Sequence, residues 1–190
     1  MAKFYDQVED KHVKFIEAQK MFFVATAPRA EEGRINLSPK GYDSFRVIGP
    51  NRVAYADLGG SGAETLAHVR ENGRITFMFC AFEGAPNIMR LYGRGEIMQF
   101  NDDGFADEIA HFPESLSRSR AIIFADIRQV QDSCGFSIPF YEFKGERDVL
   151  TRYANHTERY PTAADWHEDR LKKNAASIDG LPGLVRTTSD

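Results

Sequence analysis

Ile35-Asn-Leu-Ser-Pro-Lys-Gly41, then Arg52-Val-Ala-Tyr-Ala-Asp57, then Leu58-Gly-Gly-Ser-Gly-Ala-Glu-Thr65 decide how this chain reads. The first is a strand that ends in a polar bend, and the second is an apolar strand beside it. The third is a turn of small residues that opens a helix. Backbone amides and hydroxyls at such a helix start are turned toward an anion such as a phosphate.

Outward from this stretch, the pattern predicts strands broken by turns. Met21 to Thr26 is aromatic and branched, and after Pro28 and the polar run to Gly33 a second strand over Arg34 to Ser38 completes a hairpin. Phe45 to Ile48 and Val53 to Ala56 flank the turn Gly49-Pro-Asn51. Thr65 to Asn72 reads as a short helix closed by Gly73. Arg74 to Phe82 and Ile88 to Met98 are long strands, Ala121 to Ala125 and Ile127 to Val130 two shorter ones, and Phe136 to Phe143 reads as the closing strand. Helical spacing marks Gln7 to Ala18, Phe105 to Phe112, Arg147 to Asn155 and Asp165 to Ala176. The expected fold is mainly β with α: a closed or nearly closed barrel over residues 10–145 and a helical C-terminal extension over 146–190, in one domain. The apolar, turn-rich Ser177 to Val185 should pack on the barrel or a partner subunit, with Arg186 to Asp190 fraying.

Composition narrows the class. With 190 residues, 42% hydrophobic content, a formal net charge of -4 and pI near 5.8, the chain can bury a full core and has no excess of basic charge for nucleic acid. A small-molecule partner is expected. The start lacks the apolar core of a signal peptide, and no run reaches the length of a membrane span, so a cytoplasmic protein is expected. Cys80 and Cys134 sit in apolar contexts without zinc-ligand spacing and read as buried free thiols.

The order of these motifs resembles the pyridoxamine 5'-phosphate oxidase-like family. It is carried by Asn36-Leu-Ser-Pro-Lys-Gly41, Gly59-Gly-Ser-Gly-Ala-Glu-Thr65, Arg74-Ile-Thr-Phe-Met-Phe79, Arg90-Leu-Tyr-Gly-Arg-Gly95 and Ser133-Cys-Gly-Phe-Ser-Ile-Pro139. The resemblance implies an FMN-binding split β-barrel, a homodimer with FMN in a groove shared by two subunits, and flavin-dependent oxidoreductase chemistry. It places Ser38, Pro39, Lys40 and Gly41 beside the isoalloxazine ring, with Tyr55, Ala56 and Asp57 on the neighbouring strand. It places Ser61, Gly62, Glu64 and Thr65 at the FMN phosphate, where the oxidases carry a Ser-Arg-Lys run that this chain lacks. Charge-assisted bonds worth ~1.5–3 kcal/mol each are missing there, and Lys40, Arg90 or Arg94 are the cations available to replace them. Alternatives on the same scaffold are a non-catalytic carrier of a flavin, haem or B6 vitamer, a reductase using the deazaflavin F420, and a structural dimer with an empty groove.

Single residues read as follows. Lys40 stands between a flavin-edge cation and a solvated loop lysine, and Ser61 with Thr65 between phosphate contact and helix capping. Trp166 reads as a packing anchor and His68 as a helix-surface histidine. His12, His111 and His156 show no metal spacing.

Overall fold

The computed structural model describes residues 2–186. Residues 187–190, to which most of the fraying expectation applies, lie outside it.

Eight antiparallel strands form one sheet: β1 (Lys3–Tyr5), β2 (Phe22–Thr26), β3 (Asn36–Lys40), β4 (Phe45–Gly49), β5 (Arg52–Asp57), β6 (Arg74–Cys80), β7 (Ile88–Gln99) and β8 (Ala121–Ser133). The order is β3-β2-β6-β7-β8-β5-β4, with β1 paired to the far end of β8. The sheet curls on itself. Phe45 of β4 meets Phe22 of β2 and Phe77 of β6 across the interior, at ring-centroid distances of 5.0 and 5.2 Å. The end strands β3 and β4 approach without forming a ladder among the described residues, so the barrel is split.

Directly opposed residues of paired strands share a face. Phe22, Val24, Tyr55, Phe77, Phe79, Met89 and Leu91 fill the barrel this way. On the outside of β5 and β8, Ala54, Ala56 and Ile122 pack beneath Phe105, Leu116, Tyr160 and Trp166. That second cluster seats α3 (Phe105–Ile109), α4 (Val149–Ala154) and α5 (Ala163–Lys173) on the barrel wall. Small Ala54 and Ala56 leave room for them. Trp166 is fully buried, and its indole N–H donates to the Arg118 carbonyl at 2.8 Å, as suits an anchor. The entry helix α1 (Asp10–Ala18) starts three residues later than its periodicity suggests, and α2 (Glu64–Asn72) ends at Gly73 in the left-handed region with φ 70°.

Three expectations change. Ala121 to Val130 is not two strands but part of the single β8, because Asp126 faces outward and pairs with Arg52 at 2.6 Å, where a charge costs the ladder nothing. Phe136 to Phe143 forms no strand. Pro139 removes a ladder donor, and one long-range backbone bond, Tyr141 N–H to Phe82 O at 3.0 Å, ties the segment down. Phe136 and Phe140 are 83% and 80% exposed, so aromatic content there does not mean burial. Cys80 is a buried free thiol as expected, whereas Cys134 is exposed.

No helix among the described residues is long and apolar enough to cross a membrane. None of their His, Cys, Asp and Glu side chains gather in groups of three or more suited to a metal.

Candidate functional site

The groove lies where edge strand β3 faces the end of β5 and the start of α2. Lys40, Ser38 and Asn36 oppose Phe22, Val24 and Thr26 and therefore share their inward face. Pro39 and Leu37 point outward, and an edge strand is where a proline is tolerated. Lys40 Nζ lies 3.4 Å from Asp57 Oδ1 and 5.9 Å from the centre of the Tyr55 ring. Arg120 grips the other carboxylate oxygen of Asp57, with Nε at 3.1 Å and Nη2 at 2.9 Å. Burial alone would raise the Asp57 carboxyl, but the Arg120 guanidinium and then the Lys40 ammonium hold it well below the usual carboxylate range. Asp57 and Arg120 are sealed in, while Lys40 keeps 21% of its side chain exposed, so the ammonium is the member of the trio that a ligand can reach. Past Lys40, the backbone bends through Tyr42 and Asp43 at φ 65° and 52°, unusual values for residues with side chains.

The Leu58–Ala63 loop is held from beneath. Gly59 adopts φ +92° against Arg120, whose Cδ would stand 2.8 Å from a Cβ there. Arg170 Nη1 donates to the Gly60 carbonyl at 3.2 Å, and Asn174 Nδ2 lies 3.4 Å from the carbonyls of both Gly60 and Ser61. With these carbonyls held by the extension, Gly60 and Ser61 remain exposed at the surface. Thr65 at the helix start is buried, and its hydroxyl accepts from Asn36 Nδ2 at 3.0 Å. The same amide reaches Thr26 Oγ1 at 3.0 Å, which in turn meets His68 Nδ1 at 3.0 Å. His68 is thus fully buried, not on the helix surface, and burial pushes its pKa down.

A strap formed by residues 175–184 closes over α2. Its Ile178 N–H donates to Glu64 Oε1 at 3.1 Å, and Asp179 takes both the backbone N–H of Arg34, at 2.7 Å, and its guanidinium. Arg70 Nε donates to the Gly183 carbonyl at 3.3 Å. The apolar ending therefore packs on its own barrel. Glu64 folds back over Gly62, and its Oε2 fills the space that a Cβ on residue 62 would need.

The structure joins Lys40 to Asp57 and ties β3 to Thr65 through Asn36, with Ser38 between them on the same face of β3; Ser61, Gly62 and Glu64 lie on the loop and helix start between Asp57 and Thr65, and Gly41 follows Lys40 at the strand end. Tyr55 is fully buried beneath Lys40, Ala56 faces the outer cluster, and Pro39 lies on the outer face. Arg90 sits in the outward row Pro39, Phe23, Met78, Arg90 and bonds Ser133 Oγ at 3.2 Å. It is three strands, about 14 Å, from β3. Arg94 donates to the Asn72 carbonyl at 2.9 Å, at the opposite end of α2 from the loop. Neither supplies the loop with a cation. Arg120, Arg170, Asn174 and Asn36 were missed. An Asp ending the apolar run Val53-Ala-Tyr-Ala-Asp57 was the available signal, since a buried carboxylate needs a cation. Which cation depends on the pairing of Asp57 with Ala121.

Beside Pro39–Tyr42 opens a cavity of about 530 Å³, walled by Met21, Phe82, Tyr141 and Phe143 and rimmed by Lys20, Glu146 and Arg147.

A family model described as pyridoxamine 5'-phosphate oxidase matches residues 8–134. The chain is 39% identical over 206 residues to the pyridoxamine 5'-phosphate oxidase family protein ustO of Aspergillus flavus, covering all of this chain and 81% of that protein. Among solved structures, a HupZ variant from Group A Streptococcus matches with a TM-score of 0.52 at 19% identity, over 66% of this chain and 99% of that one. A Lactobacillus delbrueckii protein described as a candidate pyridoxamine 5'-phosphate oxidase matches with a TM-score of 0.50 at 14% identity, over 66% and 94%.

Proposed function

Because the chain belongs to the pyridoxamine 5'-phosphate oxidase family, we propose that it binds a flavin, with FMN as the expected cofactor, in the groove between β3 and the end of β5, and acts as a flavin-dependent oxidoreductase on a small molecule. The observation that carries this reading is the Lys40 ammonium, held by the buried Asp57–Arg120 pair and still open to the groove. A fixed cation there suits the ring edge on which negative charge gathers in a reduced flavin. When bound, the flavin supplies the two-electron chemistry. The protein's part is binding, orientation and electrostatics.

The groove fits an uncharged ring better than a phosphate. Ser38, Gly41 and Lys40 line the ring end, with Asp57 and Tyr55 supporting Lys40 from behind. At the loop end, Ser61 and the Gly60–Gly62 backbone offer neutral donors, and the two nearby arginines are committed elsewhere. Arg120 pairs with Asp57 from beneath Gly59, its Nη1 sealed from solvent and without a hydrogen-bond partner, and Arg170 pairs with Asp169 and donates to the Gly60 carbonyl.

The cavity beside Gly41 is the proposed place for the substrate. The exposed apolar side chains Phe136, Phe140, Tyr141, Ile35 and Leu37 support a second copy of the chain as a partner. The visible spectrum of the purified protein and a thermal-shift titration with FMN, FAD and F420 test the reading. A yellow protein, or a rise in Tm with FMN, is expected. A colourless protein stabilised by none of the three would remove the flavin reading and leave the groove to another ligand.

A further inference from the structure

The arrangement around α2 points to Glu64 as a specificity-determining residue. We infer that its carboxylate, held over Gly62 by the C-terminal strap, makes the loop discriminate against a terminal phosphate, so that the groove binds its flavin through the ring and side chain alone. This rests on the flavin reading above and specifies which part of the flavin the groove holds.

Three observations carry it. Glu64 Oε2 fills the space beside half-buried Gly62 that a Cβ there would need, at the start of α2 and next to the exposed Gly60 and Ser61. The carboxylate is fixed there, because its Oε1 accepts the Ile178 N–H at 3.1 Å and the strap is itself anchored by Asp179 on Arg34 and by Arg70 on the Gly183 carbonyl. The cations nearest the loop among the described residues already pair with carboxylates: Arg34 with Asp179, Arg120 and Lys40 with Asp57, and Arg170 with Asp169, while Arg94 lies at the other end of the helix. A phosphate dianion would therefore meet a like charge at a site where the helix start has already been given a negative group. An uncharged chain end meets no such penalty.

The test is the dissociation constants of FMN and riboflavin, measured by quenching of flavin fluorescence with the full chain and with Glu64→Gln. Gln keeps an acceptor for the Ile178 N–H while removing the charge. The expected result is FMN and riboflavin within about threefold in the unmodified protein, and FMN tightened about tenfold by Glu64→Gln with riboflavin unchanged. A measurement on the unmodified protein stands beside it. Raising the ionic strength from low to ~0.15 M should tighten FMN and leave riboflavin flat, because it screens a repulsion. A tenfold or greater preference for FMN in the unmodified protein, an FMN-to-riboflavin ratio untouched by Glu64→Gln, or FMN weakened by salt overturns the inference. Binding of neither flavin removes the flavin reading itself, a result distinct from these.

Discussion

Asp57 is the residue on which the groove turns. Its carboxylate is nearly inaccessible and answers to two cations, one sealed beside it and one at the groove. Removing one partner of a buried pair leaves the other uncompensated, so Asp57→Asn should cost about 3–5 kcal/mol in urea unfolding. It should also free Lys40 from its tether and weaken flavin binding. A loss under ~1 kcal/mol would mean that Arg120 finds another partner. Because the folded carboxyl is held below its unfolded value, its stabilising effect is complete above about pH 4 and is lost as the pH falls through the folded value. The need for a counter-charge was legible in the sequence, as a carboxylate at the end of an apolar strand. Arg120 was not, since 63 residues separate the two and only the β5–β8 register joins them.

Among the elements, α5 and the strap have the role least visible in the sequence. Their helical and turn character could be read from periodicity and glycines, but their target could not, because Arg170 and Asn174 grip backbone carbonyls and carbonyls carry no sequence signature. Arg170→Ala with Asn174→Ala should loosen the loop without unmaking the barrel. Hydrogen exchange of the Gly60–Ala63 amides is expected to speed up about tenfold or more while β6 and β7 stay protected. Equal exchange in variant and parent would show that the clamp does not hold the loop. Trp166→Ala, by contrast, empties the packed outer cluster and should cost about 3–5 kcal/mol of stability, read as a fall in the urea midpoint. The strands were legible wherever alternation matched burial. They were misread at Asp126, where an outward charge sits within a continuous strand, and at Phe136–Phe143, where aromatics lie at the surface.

At the scale of the whole molecule, the barrel and its helical extension are joined through buried polar groups as well as through apolar contact. His167 of α5 stacks on Phe100 at 4.1 Å and lies against the carbonyls of Arg118 and Ser119, and His68 is sealed between α2 and the barrel. Burial lowers the pKa of both, so each takes up a proton at a lower pH in the folded protein than in the unfolded chain, where histidine titrates at about pH 6.5. Their stabilising effect is present above that pH and is lost as the pH falls through the folded values. Tm should therefore drop between pH 7.5 and pH 5.5, and His68→Gln or His167→Gln should shrink the drop. An unchanged slope in both variants would assign the dependence to other groups.

A closed or nearly closed barrel followed from strand order and turn chemistry, and its split from the family resemblance. The groove at its split required the curl that brings β3 against β5 and α2, which no local pattern carries. The most direct measurement is a crystal structure of the protein grown with FMN. Ring density against Ser38–Gly41, with Lys40 beside it and Asp57 behind, is the predicted result. Ring density elsewhere on the barrel, or none at saturating FMN, would contradict the assignment of this groove.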